Sequence, residues 1–137
     1  MHWLFFSVLL AIVPQARGAD SAVKPSTTEL SVLENGAAVF SDRDRGHCLL
    51  CHALSKHSGS FQGNLGPSLD GVAKRFDRPE LTARIADSRQ FNPQTIMPPY
   101  YSTDKLAQVS TEFKGKTVLT KSELEDLVSY LLSDANE

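Results

Sequence analysis

The chain predicts an all-α fold, short helices joined by long loops. Three observations carry that expectation. Apolar residues recur at helical spacing in several segments, helix-start signals precede two of them, and no strand-rich pattern is visible.

The first helix is expected over Glu29 to Phe40, where Leu30, Leu33, Ala37 and Phe40 fall on one face. Gly36 interrupts it at a cost of up to about 1 kcal/mol relative to alanine. Such a glycine is either tolerated or marks a close approach of another backbone. A second helix is expected over Arg78 to Phe91, started by Asp77, Pro79 and Glu80, lined by Leu81 and Ile85 with Ala86 or Arg89, and stopped by Asn92-Pro93. A third, shorter one is expected over Thr103 to Phe113, through Leu106, Val109, Ser110 and Phe113, ending at Lys114-Gly115-Lys116. The last opens on Thr120-Lys121-Ser122-Glu123, which has capping-box spacing. Leu124, Leu127, Val128 and Leu131 then form a stripe, with Tyr130 beside it. Between the first two helices, Lys56 to Asp70 is rich in glycine and serine and reads as loop. A loop this long inside a compact domain normally has a purpose.

With 137 residues the chain suits one domain. Residues 1–18 read as a signal peptide: the run WLFFSVLLAIV is too short to span a bilayer comfortably, and Ala16-Arg17-Gly18 fits a cleavage site after Gly18 or Ala19. The competing reading is a retained membrane anchor. Residues 19–28, with Pro25, form a flexible lead-in, and 29–137 form the domain. The net charge is −2, and losing Arg17 with the leader takes it to about −3. No basic stripe is present, so nucleic acid is not an expected partner.

The two cysteines of the chain lie in Cys48-Leu49-Leu50-Cys51-His52. A C-x-x-C-H run reads as a c-type haem attachment site. Each thiol adds across one haem vinyl group, and the next residue places an imidazole at the iron. Three other readings compete: a strained disulfide of little stabilising value, a thioredoxin-like pair lacking its βαβ setting, and half of a zinc site needing further ligands.

For the other face of the iron the candidates are few. Met1 and His2 leave with the leader, His47 adjoins Cys48, and His57 follows His52 by only five residues. Met97 lies 45 residues beyond His52, with Pro93, Pro98 and Pro99 stiffening its loop. It reads as the second axial ligand, against the plainer reading of a core methionine. His/Met ligation favours a high reduction potential and closes the iron to substrates. His47 and His57 read as exposed loop residues.

The order of a helix with Gly36 and Phe40, CLLCH, Gly66-Pro67, a methionine loop and a last helix with Tyr130 resembles the class I cytochrome c domain. That resemblance implies one covalently bound haem c, a crossing of the terminal helices at Gly36, Phe40 and Tyr130, and a Pro67 carbonyl turned to the proximal His52. Three segments, GPSLDGVAKRF, ELTARIADSRQFNPQTIMPPYY and FKGKTVLTKSELEDLVSYL, resemble more narrowly the SoxX family, over about residues 30 to 132. The departure is His47, where that family leads one to expect asparagine.

SoxX proteins are the monohaem subunits of SoxAX, an L-cysteine S-thiosulfotransferase that oxidatively joins thiosulfate to a cysteine of the carrier SoxYZ. The resemblance implies a periplasmic subunit of a heterodimer with a dihaem or monohaem SoxA-type cytochrome. Catalysis would lie on that partner, and electrons would leave through this chain to a soluble acceptor cytochrome c. The rival expectation is a free-standing soluble monohaem electron carrier. Tyr100, Tyr101 and Pro99 are candidates for a partner interface, the alternative being that one or both tyrosines pack on the haem. Arg75, Lys74 and Arg78 are near enough in sequence to reach haem propionates, though solvated surface charge is the plainer reading.

Overall fold

The computed structural model describes residues 26–57 and 61–133. The expected leader, residues 19–25 of the lead-in, part of the glycine- and serine-rich loop and residues 134–137 lie outside them. Among the described residues there are four α-helices and no strand: α1 (Thr27–Ser41), α2 (Val72–Arg75), α3 (Arg78–Ala86) and α4 (Lys121–Leu132).

α1 starts two residues earlier than the apolar spacing indicates. Ser26 caps it, its hydroxyl accepting from Glu29 N while its own N–H donates to the Glu29 carboxylate at 2.7 Å. This capping box lies at the end of the stretch read as lead-in, so Thr27 and Thr28 belong to the helix. α4 begins as expected, with Thr120 and Glu123 exchanging the same pair of bonds.

The two terminal helices cross at Gly36. A Cβ built there would fall well inside contact distance of the Asp126 carbonyl oxygen and 2.5 Å from Tyr130 Cβ. Phe40 packs on Tyr130 beside the crossing, ring centroids 6.0 Å apart. Val39 and Phe40 of α1 and Leu124, Leu127, Val128 and Leu131 of α4 bury this face, joined by Leu81 and Ile85 of α3 and by Val72 of α2. Arg45 closes one end, donating to Asp42 and to Glu123 of α4 at 3.0 Å.

The loop after the C-x-x-C-H run is laced beside it. Gly63 N donates to Leu49 O, Gly66 N to Cys51 O and Leu69 N to Ala53 O, each at 2.8 Å. The Gln62 side chain bonds the backbone of Leu54 at both its N–H and its carbonyl, and Asp70 accepts from Ser55 N and Oγ. Backbone groups that find no helix or sheet are thus satisfied in parallel. α2, four residues entered through Gly71 at φ 61°, was not foreseen; it is too short to show a period.

Two expectations are corrected. α3 ends at Ala86, not Phe91, because Asp87 takes an extended backbone and starts a separate 3-10 turn over Ser88–Gln90. No α-helix forms over Thr103 to Phe113. Leu106, Val109 and Phe113 are half-buried, as their spacing indicates, but only Thr111–Phe113 is a 3-10 turn. The carbonyls of Asp104 and Lys105 accept instead from the Arg89 guanidinium, at 2.8 and 3.1 Å, and Lys105 and Gln108 adopt positive φ. A segment this short has little helical stability of its own to oppose that.

Asp87 anchors this arrangement. Its buried carboxylate accepts from Arg89 Nη2 at 2.6 Å and Nε at 2.7 Å, and the pairing holds its pKa down to about 2 from an ordinary 3.8. A carboxyl depressed in the folded state adds stability above its unfolded value, and loses it as pH falls from about 4 to about 2. The contribution at neutral pH is about 2 kcal/mol at most. Asp87→Asn should lower the urea-derived stability at pH 7 by that order and flatten the acid limb. An acid limb identical to wild type would show that the pair is energetically silent.

Candidate haem site

The C-x-x-C-H run folds as one tight turn. His47 enters it in the left-handed region at φ 48°, Cys48–Leu50 form a 3-10 turn, and Cys51 N and His52 N both donate to Cys48 O. The turn sets Cys48, Cys51 and His52 on the wall of one cavity of about 420 Å³. Neither thiol is in a disulfide. Burial pushes the Cys48 thiol up to about 11, which disfavours a thiolate; a thioether at that position would have no charge to desolvate.

Pro67 O lies 2.7 Å from His52 Nδ1. A carbonyl only accepts, so Nδ1 carries the proton and Nε2 keeps its lone pair. Gly66 lies flat on the imidazole: a Cβ there would stand 2.7 Å from Nδ1 and 2.8 Å from Nε2. The glycine before Pro67 is therefore required by the ring itself, while its N–H holds the Cys51 carbonyl.

Met97 lines the same cavity and is half-buried. Its loop is built from short polar turns. Asn92 Oδ1 accepts from Gln94 N, Thr95 N donates to Asn92 O, and Met97 N donates to Thr95 Oγ1 at 3.2 Å. Beyond the two prolines, Tyr101 N donates to Ala86 O, and Tyr100 O accepts from Leu119 N at 3.0 Å.

α1 contributes Phe40 to the cavity, α2 Val72, α3 Leu81 and Ile85, and α4 Leu127 and Leu131. Two arginines also face it. Arg75 donates to Ser68 O at 2.7 Å. Arg84, which sequence reasoning missed, pairs with Glu80 and stacks over Phe76 and Phe91 at 4.4 and 4.2 Å. Its place three residues after Leu81 on the inner face of α3 was the available signal. Arg78 turns instead to Ser129 Oγ. His47 lines the cavity, and His57 is half-buried with its ring edge-on to Phe40 at 5.5 Å, so neither is the exposed loop residue expected. Tyr100 lines the cavity, in keeping with the alternative that it packs on the haem, and Tyr101 is 39% exposed.

The donor set fits haem c. It offers two thiols one turn apart, an imidazole held by its Nδ1, a thioether sulfur and apolar walls for a porphyrin. It does not fit closed zinc: among the described residues no three His, Cys, Asp or Glu side chains are grouped to hold a metal ion.

A family model, Cytochrome c, matches residues 33–134. The chain belongs to the cytochrome c family. This cytochrome therefore carries covalently bound haem c, with Cys48 and Cys51 placed as its C-x-x-C motif, and its role is electron transfer. Among solved structures it is similar to a chain of the crystal structure of SoxXA from P. pantotrophus. The two are 26% identical with a TM-score of 0.67, over 76% of this cytochrome and 81% of that chain. No curated protein matches the sequence.

Proposed function

We propose that this cytochrome is the electron-transfer subunit of a SoxAX-type complex, exported to the periplasm with its leader removed after Gly18 or Ala19. The likeness to SoxXA, over most of both chains, is the observation that supports this reading most strongly. The haem would be anchored by Cys48 and Cys51, with His52 Nε2 and Met97 Sδ as axial ligands, and it supplies one-electron exchange when bound.

The chain's own residues then have defined tasks. Pro67 holds the proton on His52 Nδ1 and so orients the ring. Met97, on the cavity wall, would hold the iron opposite His52 and so keep substrates from it. With both cysteines committed to attachment, the chain has no thiolate to take up sulfur. Joining thiosulfate to a carrier thiol forms one S–S bond and releases one proton and two electrons. That chemistry belongs to the SoxA-type partner and SoxYZ; this subunit passes the electrons singly to an acceptor cytochrome c. Leu50, within the attachment motif but off the cavity wall, is 63% exposed and presents an apolar side chain to a partner.

Co-expression with a SoxA-type partner should give a heterodimer on a sizing column, and thiosulfate should reduce the haem of this chain only when the partner and SoxYZ are both present. Persistent migration as a lone monomer, with no such reduction, would leave a free soluble carrier as the function.

A further inference from the structure

Tyr100 joins the two halves of the site. Its hydroxyl donates to Gly46 O at 2.8 Å. Its ring lies on Gly46 so closely that a Cβ there would be 3.2 Å from Cε1. Gly46 leads directly into the His47 turn that presents Cys48. The tyrosine's backbone is fixed separately, its carbonyl accepting from the buried Leu119. Between Met97 and Tyr100 stand only Pro98 and Pro99, whose rings fix φ and leave little slack. A backbone movement that carries Met97 out of the cavity therefore draws on Tyr100, whereas rotation of the methionine side chain alone does not.

We propose that Tyr100 is a positioning residue for Met97: its hydroxyl bond to Gly46 fastens the methionine loop to the attachment turn and so resists displacement of the sulfur from iron. The proposal rests on the axial-ligand reading above. It makes the Gly46 carbonyl, remote from the iron in sequence from Met97, part of what holds the sixth position closed.

The test is displacement of Met97 by imidazole in the ferric holoprotein, followed by loss of the methionine–iron charge-transfer band in the near-red. Tyr100→Phe keeps the ring and removes one partly buried hydrogen bond, so imidazole should bind about five-fold more tightly. Ser26→Ala removes the α1 cap, lowers overall stability by a similar amount, and should leave imidazole affinity unchanged. Equal affinity in wild type and Tyr100→Phe overturns the proposal, as does an equal gain in Ser26→Ala, which would mark a global effect. A wild-type protein lacking the near-red band overturns the axial reading itself, and the proposal with it. Hydrogen exchange on wild type gives a second arm needing no variant: imidazole should speed exchange at the Leu119 amide and spare Gly63, Gly66 and Leu69. Unchanged exchange at Leu119 also counts against the fastening.

Discussion

Met97→Ala yields a ferric protein with haem still attached, no methionine–iron band, a high-spin or water-ligated spectrum, and a lower reduction potential. Attachment survives because the thioethers come from Cys48 and Cys51, which the substitution does not touch. The sulfur is lost, and the stiff loop of Asn92 to Tyr101 keeps its own turns, since Thr95 Oγ1 accepts from the backbone N–H of residue 97 and not from its side chain. Thioether ligation raises the potential, and axial ligands span about 0.8 V across haem proteins. A fall on the order of 0.1 V or more is therefore expected by redox titration. An unchanged spectrum and potential would mean that Met97 does not hold the iron.

The largest effect on stability is expected at Gly36. Alanine there gains up to about 1 kcal/mol of helix propensity. Against this, its Cβ would meet the Asp126 carbonyl oxygen and Tyr130 Cβ. The first of these is backbone in the middle of α4, so relief requires moving the helix rather than turning a side chain. Overpacking of this kind costs about 1–3 kcal/mol and occasionally more, and here the upper end applies. The net loss should be about 2 kcal/mol, read as a lower urea midpoint of the holoprotein with unchanged slope. Because α4 also carries Leu127 and Leu131 into the cavity, the haem spectrum should shift with it. An unaltered midpoint would show that the crossing is looser than its geometry implies.

How far the sequence could be read depended on how local each signal was. α4 was legible because cap and stripe coincide. The C-x-x-C-H turn was legible because five adjacent residues carry it, and the crossing was legible through resemblance, since Gly36 alone reads only as a weak point in a helix. The segment over 103–113 misled because its inward residues are spaced as in a helix, while the deciding contact comes from Arg89, about fifteen residues away. The break at Asp87 has the same origin: a carboxylate that looks like helix surface is held by its neighbour two residues on. The bond from Tyr100 to Gly46 was hidden for a related reason: it acquires its meaning from a partner 54 residues away that only the folded chain brings near.

The lacing of Gly63, Gly66 and Leu69 to Leu49, Cys51 and Ala53 spans 14 to 16 residues, whereas Asn35 meets Asp126 across 91. Short closures cost less chain entropy. The cradle of the imidazole is thus fixed by contacts local to the attachment turn, whereas the crossing of the terminal helices rests on residues from the two ends of the domain. A substitution that loosens the crossing leaves the proximal histidine's own scaffold bonded.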